Sequence, residues 1–133
     1  MARLSSMLTR TGWRPPPDVE VETVSADALD AVVVPSGWAP DKLRRYDAVK
    51  DLVAEAYHQG KIVGLICHAG LVGISASIVD GNRATGSLGI KDDLVNVGAT
   101  WVDEPHSATG TWCGAGWCPT SWISAASSSL RSR

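Results

Sequence analysis

The chain lacks phenylalanine altogether, carries no excess of positive charge and has no long apolar run. Its 12 lysine and arginine residues are outnumbered by 14 aspartate and glutamate residues, for a formal net charge of −2. Nucleic acids and anionic membrane surfaces attract a basic face, which this balance does not supply. No apolar run approaches the roughly 20 residues of a membrane-spanning helix. We therefore expect neither a nucleic-acid contact nor a membrane association.

Cysteine is scarce as well, with three residues in the chain. An odd number of thiols does not indicate a disulfide framework, so we expect a reducing, cytoplasmic setting. The first stretch, MARLSSMLTRTGWRPPP, has arginines where a signal peptide needs an apolar core. What the chain does have is 133 residues, 44% of them hydrophobic, which fits one globular domain with one core.

Strand and helix patterns alternate between residues 19 and 102. Val19–Val24 alternates at period two, as a half-exposed strand does, whereas the other predicted strands are short apolar runs. The predicted strands are Val19–Val24, Ala31–Val34, Ile62–Ile66 and Ala99–Val102. The predicted helices are Asp47–Gln59, Ala69–Val79 and Asp92–Val97, with Asp47 as the N-cap of the first and Gly60 as its terminating glycine. This order predicts an α/β fold with a mostly parallel sheet.

Cys67 stands where the strand Ile62–Ile66 ends and the next helix begins. Open α/β sheets bind ligands at the carboxyl ends of their strands. A helix N-terminus favours a thiolate over a thiol, and its free N–H groups can hold an oxyanion. The small residues Ala69 and Gly70 permit a sharp turn of the kind that displays the nucleophile in hydrolases. The junction therefore indicates a nucleophilic cysteine with His68 beside it.

A second interpretation of the same residues stays open. Free cysteine often serves as a small buried hydrophobe, and Cys67 follows an apolar strand. A single histidine such as His68 is often a surface or capping residue. The local pattern does not decide between a structural thiol and a nucleophile.

Four blocks of the sequence resemble the ThiJ/PfpI superfamily in their order and spacing. They are VVVPSGWAPDKLRR, GKIVGLICHAG, GISASIVDGNRATG and GIKDDLVNVGATWVDEP, within about residues 20–105. The resemblance is to the PfpI-type branch of intracellular cysteine proteases, amidases and deglycases. It implies a flavodoxin-like α/β sandwich related to class I glutamine amidotransferases, with no metal or organic cofactor. The implied reaction is thiolate attack on the carbonyl of a peptide, an amide or a glyoxal or methylglyoxal adduct.

The resemblance assigns roles to five residues. It makes Cys67 the nucleophile and His68 its general base or imidazolium partner. The third catalytic member is a carboxylate supplied by a neighbouring subunit, and the matching position is Asp41, whose alternative role is that of a helix N-cap. The backbone N–H groups of Ser36, Gly37 and His68 match the oxyanion hole. We accordingly expect self-association as a dimer or hexamer.

Both ends of the chain depart from the resemblance. Residues 1–18 contain nothing like the first strand and helix of the family, including the glutamate that hydrogen-bonds the nucleophilic cysteine. Residues 106–133 are rich in Ser, Gly, Trp and Cys, and a shifted reading frame is one hypothesis for this composition. We therefore divide the chain into a leader (1–18), an incomplete α/β domain (19–105) and a tail (106–133) that is disordered or out of frame. The terminal helix of the family is expected to be missing.

These departures favour a different hypothesis for the chain. The chain is then an inactive fragment or pseudoenzyme of the family that at most associates with partners. A third hypothesis is a redox or stress sensor that uses Cys67 and undergoes stable oxidation without turnover. The tail residues Cys113, Cys118 and His106 do not supply the four ligands of a structural zinc site, and we expect no metal centre.

Overall fold

The computed structural model of the chain describes residues 18–104 and, as backbone alone, two further strands. The strands are β1 (Ala31–Val34), β2 (Ile62–Ile66), β3 (Arg83–Ala84), β4 (Thr100–Trp101), β5 (His106–Thr109) and β6 (Trp112–Ala115). The helices are α1 (Ala39–Leu43), α2 (Asp47–His58), α3 (Gly70–Ser75) and α4 (Lys91–Asn96). Short 3-10 turns cover Val21–Thr23, Ala26–Ala28, Cys67–Ala69 and Leu88–Ile90.

The main sheet has the strand order β1-β2-β6-β5. The first three strands are parallel and β5 is antiparallel to β6, while β3 and β4 form a separate parallel pair. The inner strand β2 therefore has a parallel neighbour on each side, with Val34 opposite Leu65 and Ala115 opposite Ile66. Helices α2 and α3 pack against β2. The predicted α/β fold with a mostly parallel sheet is confirmed.

Helix α2 matches its sequence pattern closely. Its buried residues Val49, Val53 and Ala56 recur at helical spacing and face the core. The helix ends one residue before the predicted boundary, and Gly60 follows with a φ of 75°. The N–H of Gly60 bonds back into the last helical turn, which is the termination expected of a glycine in the left-handed region.

The start of α2 differs from the prediction. Tyr46 is the N-cap and Asp47 is the first helical residue, so the N-cap assigned to Asp47 is wrong. The carboxylate of Asp47 is held 2.7 Å from Nζ of Lys50, three residues along the same helix face. An ion pair at this spacing and the helix macrodipole both stabilise an acidic residue in the first turn.

The helix predicted over Ala69–Val79 is shorter than expected. It begins with the 3-10 turn Cys67–Ala69 and continues as α3 to Ser75. Termination comes early because Ser77 adopts a φ of 57°. The N–H groups of Ser77 and Ile78 return to carbonyls of the last turn at 3.0 and 3.2 Å, as in a Schellman motif.

Close packing of α3 against β2 positions the segment that holds Cys67. A methyl group placed on Gly73 would lie only 2.5 Å from Cδ1 of Leu65. Leu65 and Val72 are both buried, at 2% and 0% exposure. Because Gly73 has no side chain, helix α3 can lie close against strand β2, which precedes Cys67.

The strand predicted over Val19–Val24 is wrong. This segment contains the 3-10 turn Val21–Thr23, and a second turn follows at Ala26–Ala28. The hydroxyl of Thr23 donates to the carbonyl of Glu20 at 2.7 Å. Local side-chain hydrogen bonds of this kind compete with strand pairing, and two-residue alternation does not detect them.

Strands β5 and β6 lie where the sequence predicted no regular structure. They form an antiparallel hairpin, and β6 pairs with β2 in parallel. Pairing with a preformed neighbour is a tertiary effect that a Gly-, Ser- and Trp-rich sequence does not reveal. The division of the chain at residues 18 and 105 stays a prediction. The expected absence of a first strand–helix unit and of a terminal helix falls on residues 1–17 and 116–133, outside the described residues.

Candidate active site

Cys67 directly follows the inner strand of the sheet. Strand β2 ends at Ile66, and Cys67 opens the 3-10 turn that leads into α3. Its φ is 59°, in the left-handed region that costs about 1–2 kcal/mol for a residue with a side chain. The surrounding packing must hold this conformation, and such strained residues cluster at functional sites. The sharp turn predicted at this junction is therefore present.

The thiol of Cys67 is paired with the next side chain. Its Sγ lies 3.3 Å from Nδ1 of His68, and both residues are half-buried. The opposite ring nitrogen, Nε2, faces the turn Leu88–Ile90, because a methyl group placed on Gly89 would lie 3.7 Å from it. A histidine in this position can take the thiol proton through Nδ1. The pair thus has the contact that proton transfer between a thiol and an imidazole needs, and both residues remain partly accessible to solvent.

Sequence reasoning missed the loop that holds the backbone of Cys67. The N–H of Ser87 donates to the carbonyl oxygen of Cys67 at 3.4 Å. A methyl group on Gly86 would lie 3.0 Å from the same oxygen, so this glycine allows the loop to approach. The sequence GSLG indicated only a turn. The last glycine of this string, Gly89, is also the first residue of the segment GIKDD, which carries part of the family resemblance.

The turn after β1 lies beside Cys67. In the register of β1 and β2, Val34 is opposite Leu65, which brings Ser36 and Gly37 level with Cys67 at the same edge of the sheet. Gly37 adopts a φ of 101°. Within residues 18–104, the N–H groups of Ser36 and Gly37 make no hydrogen bond. These two donors, which have no partner within that range, can therefore serve a ligand at this edge.

Asp41 is occupied by a residue of its own helix. Its Oδ2 lies 2.5 Å from Nη2 of Arg45, and its carbonyl accepts from Nε of Arg45 at 3.0 Å. Helix α1 begins at Ala39 with Trp38 as its N-cap, so the alternative role of Asp41 as an N-cap is wrong. The earlier start follows from Pro40, since proline favours the first turn of a helix.

Within residues 18–104, Asp41, which the resemblance assigns as the third catalytic member, is paired with Arg45 and not with His68. No carboxylate of residues 18–104 forms an ion pair with His68. Helix α1 does pack against the turn Cys67–Ala69, so Asp41 belongs to an element next to the site. The structure brings Cys67, His68, Ser36 and Gly37 to one edge and leaves Asp41 facing solvent with Arg45.

Trp38 is a second residue that sequence reasoning did not connect with the site. Its indole ring is tilted over His68, with the ring centroids 6.4 Å apart. The side chain is 86% exposed. An exposed aromatic ring beside a candidate general base is available to a ligand.

The described part of the chain has neither a metal-ligand cluster nor a membrane-spanning helix. There, no cluster of three or more His, Cys, Asp or Glu side chains is suited to a metal ion. None of the helices found there is both long and apolar enough to span a bilayer.

Comparison with known proteins places this geometry in a family. The DJ-1/PfpI family matches residues 5–122, a wider span than the one that carried the resemblance. A deglycase of Pyrococcus abyssi is 38% identical over 95 residues, and the deglycase PfpI of Pyrococcus furiosus is 34% identical over 95 residues. Each alignment covers 71% of this chain and 57% of the relative, so the chain spans little more than half of their length.

A solved structure agrees with the sequence relatives. It is a two-domain protein of Anabaena variabilis with a DJ-1/ThiJ/PfpI-like and a ferritin-like domain. It superposes with a TM-score of 0.78 and 35% identity over 80% of this chain and 31% of that chain. The flavodoxin-like sandwich implied by the resemblance is confirmed by this likeness. The chain belongs to the DJ-1/PfpI family.

Proposed function

We propose that the protein is a cysteine-dependent hydrolase of the PfpI type, in which the thiolate of Cys67 attacks a carbonyl carbon. The observation that carries this proposal is the contact of 3.3 Å between Sγ of Cys67 and Nδ1 of His68. The two residues follow the carboxyl end of the inner strand β2, and Cys67 has a φ of 59°. The names of the Pyrococcus relatives support a deglycase activity, with amide or peptide bonds as the other substrates of the same chemistry.

The proposed reaction on an amide or peptide has two halves. His68 takes the proton of the Cys67 thiol, and the thiolate forms a bond to the carbonyl carbon while the π electrons move to oxygen. The N–H groups of Ser36, Gly37 and His68 then donate to this oxyanion. Its collapse breaks the carbon–nitrogen bond, and the amine leaves with the proton that His68 had taken. Water hydrolyses the resulting thioester and restores the thiol. In a glyoxal or methylglyoxal adduct the nitrogen is on the carbinol carbon beside the carbonyl. There the thiolate forms its bond to this carbon as the amine leaves with the proton from His68, a proton shift between the two carbons gives a thioester, and water hydrolyses it to a 2-hydroxy acid and the thiol.

We further propose that Asp41 acts on a neighbouring subunit. Within residues 18–104 no carboxylate of the same chain pairs with His68, and Asp41 is solvent-facing next to Arg45. An oligomer could bring this carboxylate to the partner's His68, where it would orient the ring and stabilise its protonated form. The proposed assembly is a dimer or hexamer. A reducing, cytoplasmic location suits an enzyme that depends on a free thiol.

The function is tested by turnover on two substrate classes. Native protein, Cys67→Ser and His68→Gln are compared on N-acetyl-lysine modified by methylglyoxal and on blocked peptide amides, with free amine as the measured product. We expect at least one class to be hydrolysed, and each substitution to reduce kcat by about 100-fold or more. His58→Gln, which replaces an exposed histidine at the end of α2, is the matched control.

Two results would contradict the proposal. Turnover that survives in Cys67→Ser would exclude the thiolate mechanism. A native protein that hydrolyses neither class, yet oxidises stably and reversibly at Cys67, would support the redox sensor instead.

A further inference from the structure

The two most exposed large apolar side chains among residues 18–104 belong to the two segments that border His68. Trp38 is 86% exposed and Leu88 is 76% exposed. The Trp38 ring lies 6.4 Å from the His68 ring. Leu88 opens the 3-10 turn whose next residue, Gly89, faces Nε2 of His68. Single exposed apolar residues are common on protein surfaces, but two beside one candidate general base form a local apolar surface.

The backbone under both side chains is anchored in the core. Ile90, two residues after Leu88, is buried, and its N–H donates to the carbonyl of Ser87 at 3.0 Å. Trp38 precedes the first turn of α1, where Pro40 is buried. The two side chains therefore project from fixed positions without contributing to the core. A ligand that covered them would not need to order the backbone, which lowers the cost of binding.

Some of the charges near the two side chains have partners, while Lys42 and Asp92 are exposed. On the side of Trp38, Asp41 is paired with Arg45. On the side of Leu88, Nζ of Lys91 lies 5.7 Å from the centre of the Trp101 ring. The large exposed side chains of the two segments that border His68 are nonetheless apolar, and they favour an apolar group over a charged one.

We propose that Trp38 and Leu88 form an apolar rim that binds an aromatic or branched aliphatic group of the substrate beside the reacting carbonyl. This inference rests on the proposed function, because the rim lies next to the thiolate and base that define the reaction. It narrows the substrate class to carbonyl compounds or amides with a bulky apolar group adjoining the reacting carbon. Small adducts without such a group are poorer substrates.

The test uses two alkylating probes that share one reacting carbon. Iodoacetamide and N-benzyliodoacetamide both form a C–S bond at their methylene carbon and release iodide, but only the second carries a phenyl ring. Their rates at Cys67 in the full chain are measured by peptide mass spectrometry and divided by their rates with N-acetylcysteine. We expect the normalised rate of the benzyl reagent to be about tenfold higher, in the range that a hydrophobic pocket provides.

Three variants identify the source of the preference. Trp38→Ala and Leu88→Ala each remove one side of the rim and should bring the normalised ratio close to one. Both side chains are exposed, so neither substitution is expected to impair folding, and each is an independent test. Val33→Thr is the control, since Val33 is 62% exposed but contacts Gly64 of β2 rather than His68. It should keep the preference.

The outcomes separate the rim from the proposed function. If Cys67 reacts no faster in the native chain than in guanidinium chloride with either probe, the activated thiolate is absent and the proposed function fails. If Cys67 is activated but shows no benzyl preference, or if the preference survives in both alanine variants, the rim proposal is wrong and the function stands. If the preference disappears as the protein associates at higher concentration, a second copy covers the rim and the proposal is likewise overturned.

Discussion

Asp41 and Arg45 form an ion pair within one chain, with Oδ2 of the aspartate 2.5 Å from Nη2 of the arginine. The Arg45 side chain is 68% exposed and the Asp41 side chain 49%. Such surface pairs contribute little to stability, about 0–1 kcal/mol, so a competing partner can replace Arg45 easily. The carboxylate is therefore held near the surface of α1 without being committed there. The proposed role of Asp41 on a neighbouring subunit needs such a replaceable local partner.

Mixing two inactive variants tests whether Asp41 acts across an interface. Cys67→Ala retains Asp41, and Asp41→Asn retains the thiol. In a dimer assembled by co-refolding equal amounts, half of the molecules are mixed, and each mixed dimer has one complete site. We therefore expect recovery of about a quarter of the native kcat, while each variant alone stays inactive. Recovery that never exceeds the separate activities would mean that Asp41 acts in its own chain or not at all.

Gly86 should be more sensitive to a methyl group than Gly89. A side chain on Gly86 would lie 3.0 Å from the carbonyl oxygen of Cys67, whereas one on Gly89 would make ordinary contacts at 3.7 Å. Displacing the backbone of a nucleophile by a few tenths of an ångström costs rate, so Gly86→Ala should lower kcat/KM by about tenfold. Gly89→Ala should change it by less than about threefold. Equal effects of the two substitutions would argue against positioning by Gly86.

Ser77→Gly should stabilise the protein. Ser77 holds a φ of 57° at the end of α3, the place that Gly60 and Gly98 take after α2 and α4 with φ of 75° and 92°. A left-handed residue with a side chain costs about 1–2 kcal/mol, partly offset by the greater unfolded-state entropy of glycine. We expect a gain of about 0.5–1 kcal/mol in the free energy of unfolding, measured in urea.

The reciprocal change supplies the control. Gly60→Ala has open space for its methyl group but forces a left-handed φ, so it should destabilise by about 1 kcal/mol. If Ser77→Gly lowered stability, the hydroxyl of Ser77 would have to make a compensating interaction.

The pair of Asp47 and Lys50 predicts a pH dependence. The hydrogen bond from Lys50, aided by its charge, lowers the pKa of Asp47 below its ordinary value of 3.8. A lowered folded-state pKa contributes stability above the unfolded value, and this contribution is lost as the pH falls through the folded value. Asp47→Asn should therefore lower the Tm slightly at about pH 6 and leave it unchanged at about pH 2.

A second carboxylate on the same helix provides the comparison. Asp51→Asn makes the same change in net charge at an exposed residue of α2. It should lower the Tm less than Asp47→Asn at about pH 6, because exposed charges without a close partner contribute little. A difference between native protein and Asp47→Asn that persisted at about pH 2 would have a cause other than the ion pair.

Local sequence patterns predict several of the elements that position the candidate site. The continuous apolar run Ile62–Ile66 predicts β2, and the spacing of Val49, Val53 and Ala56 predicts the buried face of α2. These patterns work because one residue type repeats at the period of one element. The strand predicted over Val19–Val24 is wrong because that prediction relied on the period alone. Its alternation matches a strand, but local hydrogen bonds and the burial of Val21 produce a 3-10 turn.

The sequence by itself determined that a thiol and an imidazole stand together where a strand meets a helix, because both facts are local to Cys67 and His68. Only the tertiary structure decided what surrounds them. Gly86 lies against Cys67, Trp38 lies over His68, and β6 pairs with β2, although these segments are far apart in the chain. Such contacts depend on sheet register and on close packing between elements, and no short-range pattern encodes them.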